Sequence, residues 1–359
     1  MSDTTPGLVC GHHHLYSSLA RGMPAPPATP TDFLSILRQV WWRLDAALDL
    51  DLVHHSAMLG ALEALQCGTT AIVDHHESPN AIEGSLSVIG EACAAVGVRV
   101  VCCYGVTDRW SDDGTLVAGD WSSPPPAMTS AARRGLDECA RHARAGGRTM
   151  VGLHAAFTCS DETIEAAADL ARELDLGVHV HVAEGAVDRA AADRLARHAD
   201  ERWLSAHCVH LLADRTLAGT IAHNPRSNLN NAVGYAAPAR RPNPVVLGSD
   251  GIGADMLEEF RLAYVAQRAD DVTATPETAW SWLEAGWTLV PEARDDRVRW
   301  SYEHVDSPWH AAFTPGVRAL DVVGAGGEVL LRDGVPTRVD AAEIRAKAAE
   351  AAARLFARL

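Results

Sequence analysis

The chemistry in this chain is carried by histidines and carboxylates that follow apolar runs. Residues 177–184 read Gly-Val-His-Val-His-Val-Ala-Glu, with Val178, Val180 and Val182 alternating with His179 and His181. Side chains alternate across a strand, so both histidines face one side and the valines the other. Glu184 follows just past the strand end, where a metal ligand and a general base can sit side by side. Taken alone, two buried and hydrogen-bonded histidines would explain the stretch equally well. Residues 7–14 end in His12, His13 and His14, and His12 and His14 face the same way, able to share one metal. His207 and Asp250 end two further apolar runs. Three or four nitrogen and oxygen ligands plus water suit Zn2+ or a similar divalent ion. Such an ion lowers the pKa of a bound water to ~7. Glu184 could then shuttle the water proton to a leaving group. Asp250 could bind the metal or orient the nucleophile.

These residues need a scaffold that brings distant strand ends together. Eight short apolar stretches, at about 7–14, 68–76, 98–104, 149–154, 177–182, 203–207, 219–223 and 244–250, alternate with helical patterns. They are near-continuous apolar runs, as in parallel sheets covered on both faces. The pattern predicts an α/β fold, a (β/α)8 TIM-type barrel, with its active site at the C-terminal strand ends. A doubly wound open sheet would usually bring a Gly-rich phosphate loop, and none is present. The barrel is expected over residues 1–290. Beyond it, residues 297–303, 317–323 and 327–334 read as strands and 340–358 as a helix. Residues 291–359 are therefore expected to form a reduced β subdomain with a C-terminal helix.

Composition removes other classes. The net charge of -16 argues against a nucleic-acid or anionic-membrane partner. No apolar run approaches the ~18 residues of a membrane span, and no basic, apolar leader opens the chain, so a cytoplasmic enzyme is expected. The eight cysteines form no CxxC and mostly sit in apolar runs, as reduced core thiols. Lys347 is the only lysine and lies near the C-terminus. Schiff-base chemistry and a lysine-bridged two-metal centre therefore lack their lysine, and one divalent ion is expected, zinc first, with iron or manganese as alternatives. Candidate contacts for a small-molecule substrate are His154, His223, Asn228, His76, Phe157 and Tyr104. His75 and His210 read as structural, Trp41 as core with a substrate wall as its second role, and Trp110 and Trp121 as a lid in the long loop at 107–128.

The motif order resembles a known family. It runs Pro6-Gly-Leu-Val-Cys-Gly-His-His-His14, His181-Val-Ala-Glu184, Ala206-His-Cys-Val-His-Leu211, His223-Asn-Pro-Arg-Ser-Asn228 and Gly248-Ser-Asp250. It resembles the amidohydrolase superfamily in its single-metal, cytosine-deaminase-like branch. Further motifs are similar to SsnA-type proteins of the aminohydrolase/chlorohydrolase group: His14-Leu-Tyr-Ser17 with Ala20-Arg-Gly-Met23, Trp41-Trp-Arg-Leu-Asp45, Gly68-Thr-Thr70 with Asp74-His-His76, and His154-Ala-Ala-Phe-Thr158. The resemblance spans roughly residues 6–265. It implies that His12, His14, His181 and Asp250 hold the metal, that His207 is a ligand or orients the water, and that Glu184 is the proton shuttle. The implied activity is hydrolysis of a C–N bond in a small molecule, above all deamination of an amino-heterocycle or amidine-like carbon. Ring opening of a cyclic amide or imide, displacement of another leaving group, and a catalytically inactive barrel used for binding are the alternatives. Two departures stand out. Gly105 occupies a position where an acidic residue is expected. The strands that precede the first barrel strand in such proteins are expected to lack a counterpart, which would leave a reduced or rebuilt small domain. Segments 296–333 must then bury their apolar faces against the barrel, the C-terminal helix or a second subunit, and a homodimer is expected.

Overall fold

The structure, a computed structural model, describes residues 2–359. Strands β1 (Thr4–Thr5), β2 (Leu8–His14), β3 (Thr69–His76), β4 (Arg99–Val106), β5 (Val151–Ala155), β6 (Val178–Val182), β7 (Leu204–His207), β8 (Thr220–His223), β9 (Val245–Leu247) and β10 (Asp250–Gly251) follow in chain order. From β2 to β9 each strand pairs in parallel with the next. After β9 the chain passes through Gly248 and Ser249 into β10, which pairs with β2 with Asp250 opposite His13. The Gly248 amide donates to His223 O and the Ser249 amide to His12 O, so this kink bridges the last and first strands and closes the ring. The expected barrel is what forms.

Strand periodicity sorts the side chains. Val9, Ala71, Val73, Leu204, Ala206, Ala222 and Val246 come from strands on opposite sides of the ring yet share one cluster with Val290 and Ala293. Only the barrel interior can bring them together. Their neighbours Cys10, Ile72, Cys102, Tyr104, Leu153, Val180 and Ile221 belong to the main core, between barrel and helices. The interior cluster is sealed from below by residues 285–295, where Trp287 Nε1 donates to Gly7 O at 2.8 Å and the Gly7 amide donates to Ala293 O at 3.0 Å.

A second sheet is antiparallel, in the order β1, β11 (Arg297–Trp300), β12 (Ala319–Val323), β13 (Val329–Arg332) and β14 (Val335–Pro336). This corrects the expectation of no strand ahead of the barrel. Thr4 and Thr5 pair with Arg299 and Val298, and Trp300 Nε1 donates to Thr5 Oγ1 at 2.9 Å. The Trp300 ring lies where a Cβ on Gly68 would come within 2.4 Å, and Gly68 itself has φ +74°, so only glycine fits there. Val298, Trp300, Val322 and Leu331 are buried in the main core, which also takes in Leu62 and Leu65 of the helix Leu50–Gln66 and Leu355 of the helix Ala341–Phe356. The apolar sheet face is therefore covered within one chain, which removes the stated reason for a second subunit. Among the described residues no helix is long and apolar enough to cross a membrane.

Candidate active site

At the C-terminal strand ends the barrel interior changes from small apolar residues to imidazoles. The face that carries Val9 continues past an irregularity in β2 to His12, the face of Ala71 and Val73 to His75, and the inward face of β6 supplies His179 and His181. Five groups meet there. His12 Nε2 is 3.1 Å and His14 Nε2 3.0 Å from Asp250 Oδ1, His14 Nε2 is 3.1 Å from His181 Nε2, and His207 Nε2 is 4.0 Å from Asp250 Oδ1. One ligand atom each from His12, His181, His207 and Asp250 lies within 4.8 Å of the others, and an overlapping group joins His14, His75 and His181. His75, read as structural from sequence, thus stands at the edge of the cluster.

The outer nitrogens decide what this cluster can hold. His14 Nδ1 faces His75 O (2.5 Å), His181 Nδ1 faces His154 O (2.6 Å) and His207 Nδ1 faces Asn228 Oδ1 (2.7 Å). Carbonyl oxygens only accept, so these Nδ1 atoms carry protons and the Nε2 lone pairs of His181 and His207 point inward. His14, which burial alone would lower, is raised to about 9 by the hydrogen bond that its Nε2 gives Asp250, a proton that binding of an ion would release. His12 Nδ1 meets His179 Nε2 at 2.8 Å, and His179 Nδ1 backs onto Cys103 Sγ. His207 Nε2 is buried with no hydrogen-bond partner. Burial, reinforced by the neighbouring histidines, pushes His181 well below its ordinary range and keeps it neutral, as a ligand must be. Burial alone would raise Asp250, but hydrogen bonds from His12 and His14 outweigh it and hold the carboxylate ionised. Neutral imidazole lone pairs converging on a carboxylate fit a divalent cation of borderline softness.

Glu184 stands beside this cluster. Its Oε2 is 3.5 Å from His207 Nε2, and its Oε1 accepts from Asn231 Nδ2 at 3.3 Å. Burial raises its pKa to about 7, against the pull of His207. The backbone that delivers these groups is strained. Ala183, His207, Cys208, Asp250 and Ile252 all have φ between 48° and 71°, in the left-handed region. Specific bonds hold them there. The Cys208 amide donates to Val182 O and the His210 amide to Ala183 O. Arg226 donates to the carbonyls on both sides of Asp250, Ser249 O at 2.7 Å and Gly251 O at 3.0 Å, and is itself held by buried Glu259.

A cavity opens over the cluster, with His14, His181, Glu184 and Asp250 in its floor and Phe33, Leu37, Trp41, Trp42 and Phe157 in its walls. Of the expected substrate contacts, His154 and Phe157 line it. His154 has both ring nitrogens engaged, Nε2 with Arg109 at 2.7 Å and Nδ1 with Thr158 Oγ1 at 2.7 Å. His223, His76, Tyr104 and Asn228 are not in the wall. Strand parity accounts for three of them. His223 shares the outward face of Ile221 and packs against Tyr235 and Trp282. His76 shares the outward face of Ile72, bonded to Ser78 Oγ, and Tyr104 belongs to the outer core. Asn228 instead fixes His207. Trp41 lines the cavity, the second of the two roles expected for it. Trp110 and Trp121 are buried behind the wall, where a lid was expected. Gly105 faces the barrel interior, where an added Cβ would come within 2.5 Å of His75 Cε1, so its effect falls on the His75 ring. Asp45, Glu77 and Tyr16 line the cavity without having been singled out. Asp45 was visible only as the end of the Trp41–Asp45 motif.

Comparison with known proteins agrees with this geometry. The model of the amidohydrolase family matches residues 4–286. The chain is 29% identical to a 5'-deoxyadenosine deaminase of Methanothermobacter thermautotrophicus, over 92% of this chain and 82% of that protein. Matches to some further deaminases span 60% to 64% of those proteins' lengths. The fold is similar to that of an adenosine deaminase from Xanthomonas campestris with bound zinc, with a TM-score of 0.77 and 22% identity over 98% of this chain and 85% of that one. It is also similar to that of the zinc-complexed atrazine chlorohydrolase from Arthrobacter aurescens, with a TM-score of 0.73 and 20% identity over 97% and 88%.

Proposed function

The chain belongs to the amidohydrolase family and is a hydrolase, and on that premise we propose that it deaminates a small amino-substituted nitrogen heterocycle, with an adenine-type ring first. One observation carries the reading. Inward-facing imidazole nitrogens and Asp250 converge beside Glu184, whose carboxyl group titrates near neutrality, on the floor of an aromatic-walled cavity. His12, His14, His181, His207 and Asp250 would hold the ion, zinc being the proposed one. When bound, it supplies an acidified water at neutral pH. Glu184, raised to about 7, takes a proton from the nucleophile and returns it to the leaving amine, so that ammonia departs. Asn228 fixes the His207 ring, so that its Nε2 faces both the cluster and Glu184. Phe33, Trp41, Trp42 and Phe157 suit a planar ring and keep bulk water away.

The same machinery would serve another leaving group, and the fold's likeness to a chlorohydrolase favours that as the second reading. The proposal extends to a cytoplasmic homodimer. All eight cysteines are free, as a reducing compartment allows. The exposed ridge of Trp309 and Phe313, stacked at 6.1 Å, is the apolar surface that a second copy would cover. The deciding experiment is ammonia release by zinc-loaded protein from a panel of aminopurines, pterins, aminopyrimidines and cyclic ureas. Turnover of an aminopurine is expected. Ring opening of a cyclic urea without ammonia from any amino compound would overturn the reading.

A further inference from the structure

Glu184 and Asp250 each turn one oxygen towards the cluster and one away from it. Glu184 Oε2 lies 3.5 Å from His207 Nε2, and Asp250 Oδ1 lies 3.1 Å from His12 Nε2 and 3.0 Å from His14 Nε2. The two outer oxygens come from different strand ends, yet one turn of chain holds both. Asn231 Nδ2 donates to Glu184 Oε1 at 3.3 Å and to Ser227 Oγ at 3.3 Å, and the Ser227 hydroxyl donates to Asp250 Oδ2. Ser227 lies in the short helix Pro225–Asn230, whose last turn closes where the Asn231 backbone amide donates to Ser227 O at 2.8 Å. Four residues apart, the two side chains share one helical face. Asn231 also lines the cavity. Donor chemistry fixes the direction of this bridge. A primary amide nitrogen carries two protons and accepts none, so Asn231 gives one to each neighbour. Ser227 Oγ accepts one and has a single proton of its own, which goes to Asp250. Both ends of the bridge are carboxylate oxygens that only accept. The amide nitrogen cannot hand a proton on, so the bridge orients the carboxylates and does not relay between them.

We propose that Asn231 is a positioning residue for the proton shuttle, tying Glu184 through Ser227 to Asp250. Glu184 Oε1 is held by the amide, so Oε2 takes the proton from the attacking oxygen and gives it to the leaving nitrogen. Asp250 Oδ2 is held by the serine, so Oδ1 is the oxygen offered to the ion. The proton step rests on the deaminase reading above; the bridge itself does not.

Three measurements on the zinc-loaded protein test it. In ammonia release from adenine and adenosine, Asn231→Leu should lower kcat by about tenfold to a hundredfold, the range that a hydrogen bond to a charged group carries, with KM changed by less than about threefold. Asn231→Asp keeps the size without the donor and should fall at least as far, whereas Asn231→Gln, which restores an N–H, should stand above both. In chelator competition, Ser227→Ala should weaken zinc binding by about tenfold to a hundredfold, and Asn231→Leu by less than about threefold. In crystals, Glu184 should face His207 in the parent protein and swing away from it in Asn231→Leu and Asn231→Asp. Unchanged kcat in both variants would overturn the proposal. An equal loss of zinc affinity in Asn231→Leu and Ser227→Ala would overturn it too, because Asn231 would then support the metal site alone. No ammonia from either compound with the parent protein would count against the deaminase reading. A Glu184 carboxylate that still faces His207 in the Asn231→Leu crystals would overturn the bridge with no substrate needed.

Discussion

The two ends of the barrel interior are built by the same strands on the same faces, yet they do opposite work. At the N-terminal end, Val9, Ala71, Val73, Ala206 and Val246 pack on one another over the plug at 285–295. At the C-terminal end those faces present His12, His75, His179 and His181, with almost every outer nitrogen tied to a carbonyl, an amide or another ring. Strain is concentrated at the second end. Five non-glycine residues there hold left-handed backbone, and buried polar bonds hold them in turn. A few ångströms along one strand separate residues that stabilise the ring from residues that a cation and a substrate must satisfy.

The sharpest way to break the comparison is at Glu184. Glu184→Gln keeps the size but cannot take a proton at neutral pH. Turnover should fall by at least ~10²–10⁴-fold, with the bound metal retained in elemental analysis. His181→Ala should instead lose metal and activity together. If Glu184→Gln strips the metal, the carboxylate is a ligand and the proton route lies elsewhere. At the other end, Leu204→Ala should cost about 2–5 kcal/mol in denaturant unfolding. The metal per folded chain and kcat should change little. A kcat that drops along with stability would mean that the two ends are not separable.

The smallest effects are in pH dependence, and the two ends should show opposite signs. Burial raises the Asp188 carboxyl, which accepts from the Ala183 and Phe157 amides beneath the cavity, to about 7. The folded state then binds more protons than the unfolded one between the ordinary value of 3.8 and about 7, so this group removes stability as pH rises through that window. At the N-terminal end, Arg148 lowers Glu292 to about 2. That pair contributes stability above the ordinary value of 4.5 and loses it as pH falls towards 2. Because both partners are nearly half exposed, it is worth at most ~1 kcal/mol. Melting curves of chelator-treated Asp188→Asn and Glu292→Gln from pH 3 to 8 should show the first flattening the loss between the ordinary value of 3.8 and about 7 and the second the loss in acid.

The barrel and its ligand set were legible because each strand ends in the residue that matters, and a run of valines broken by His179 and His181 fixes which way those rings point. The cavity walls were less legible. His223, His76 and Tyr104 were placed by their nearness to strand ends, but parity with Ile221, Ile72 and Cys102 sends them outward, a signal present in the sequence. Asp45 and Glu77 come from a helix and a loop with no such rule. Their meeting at Arg109 depends on how segments 42–47 and 107–128 pack, which no local spacing encodes. The strand at Thr4–Thr5 is two residues long, too short for any periodicity to reveal, and its partners lie nearly 300 residues away.

The seam where β10 meets β2 has a consequence for how the molecule comes apart. His12 and Asp250 are 238 residues apart in sequence and 3.1 Å apart in space. A cation held by both would act as a cross-link between the first and last staves, closing nearly the whole barrel into one covalently and coordinatively bounded loop. Without it, the closure rests on the Ser249 and Gly248 amides and on a strand pair two residues long. Chelation should therefore unlatch the ring at this one joint before any helix lets go. Hydrogen exchange would register it as early deuteration of residues 248–252 and of β2, with β4 to β6 still protected.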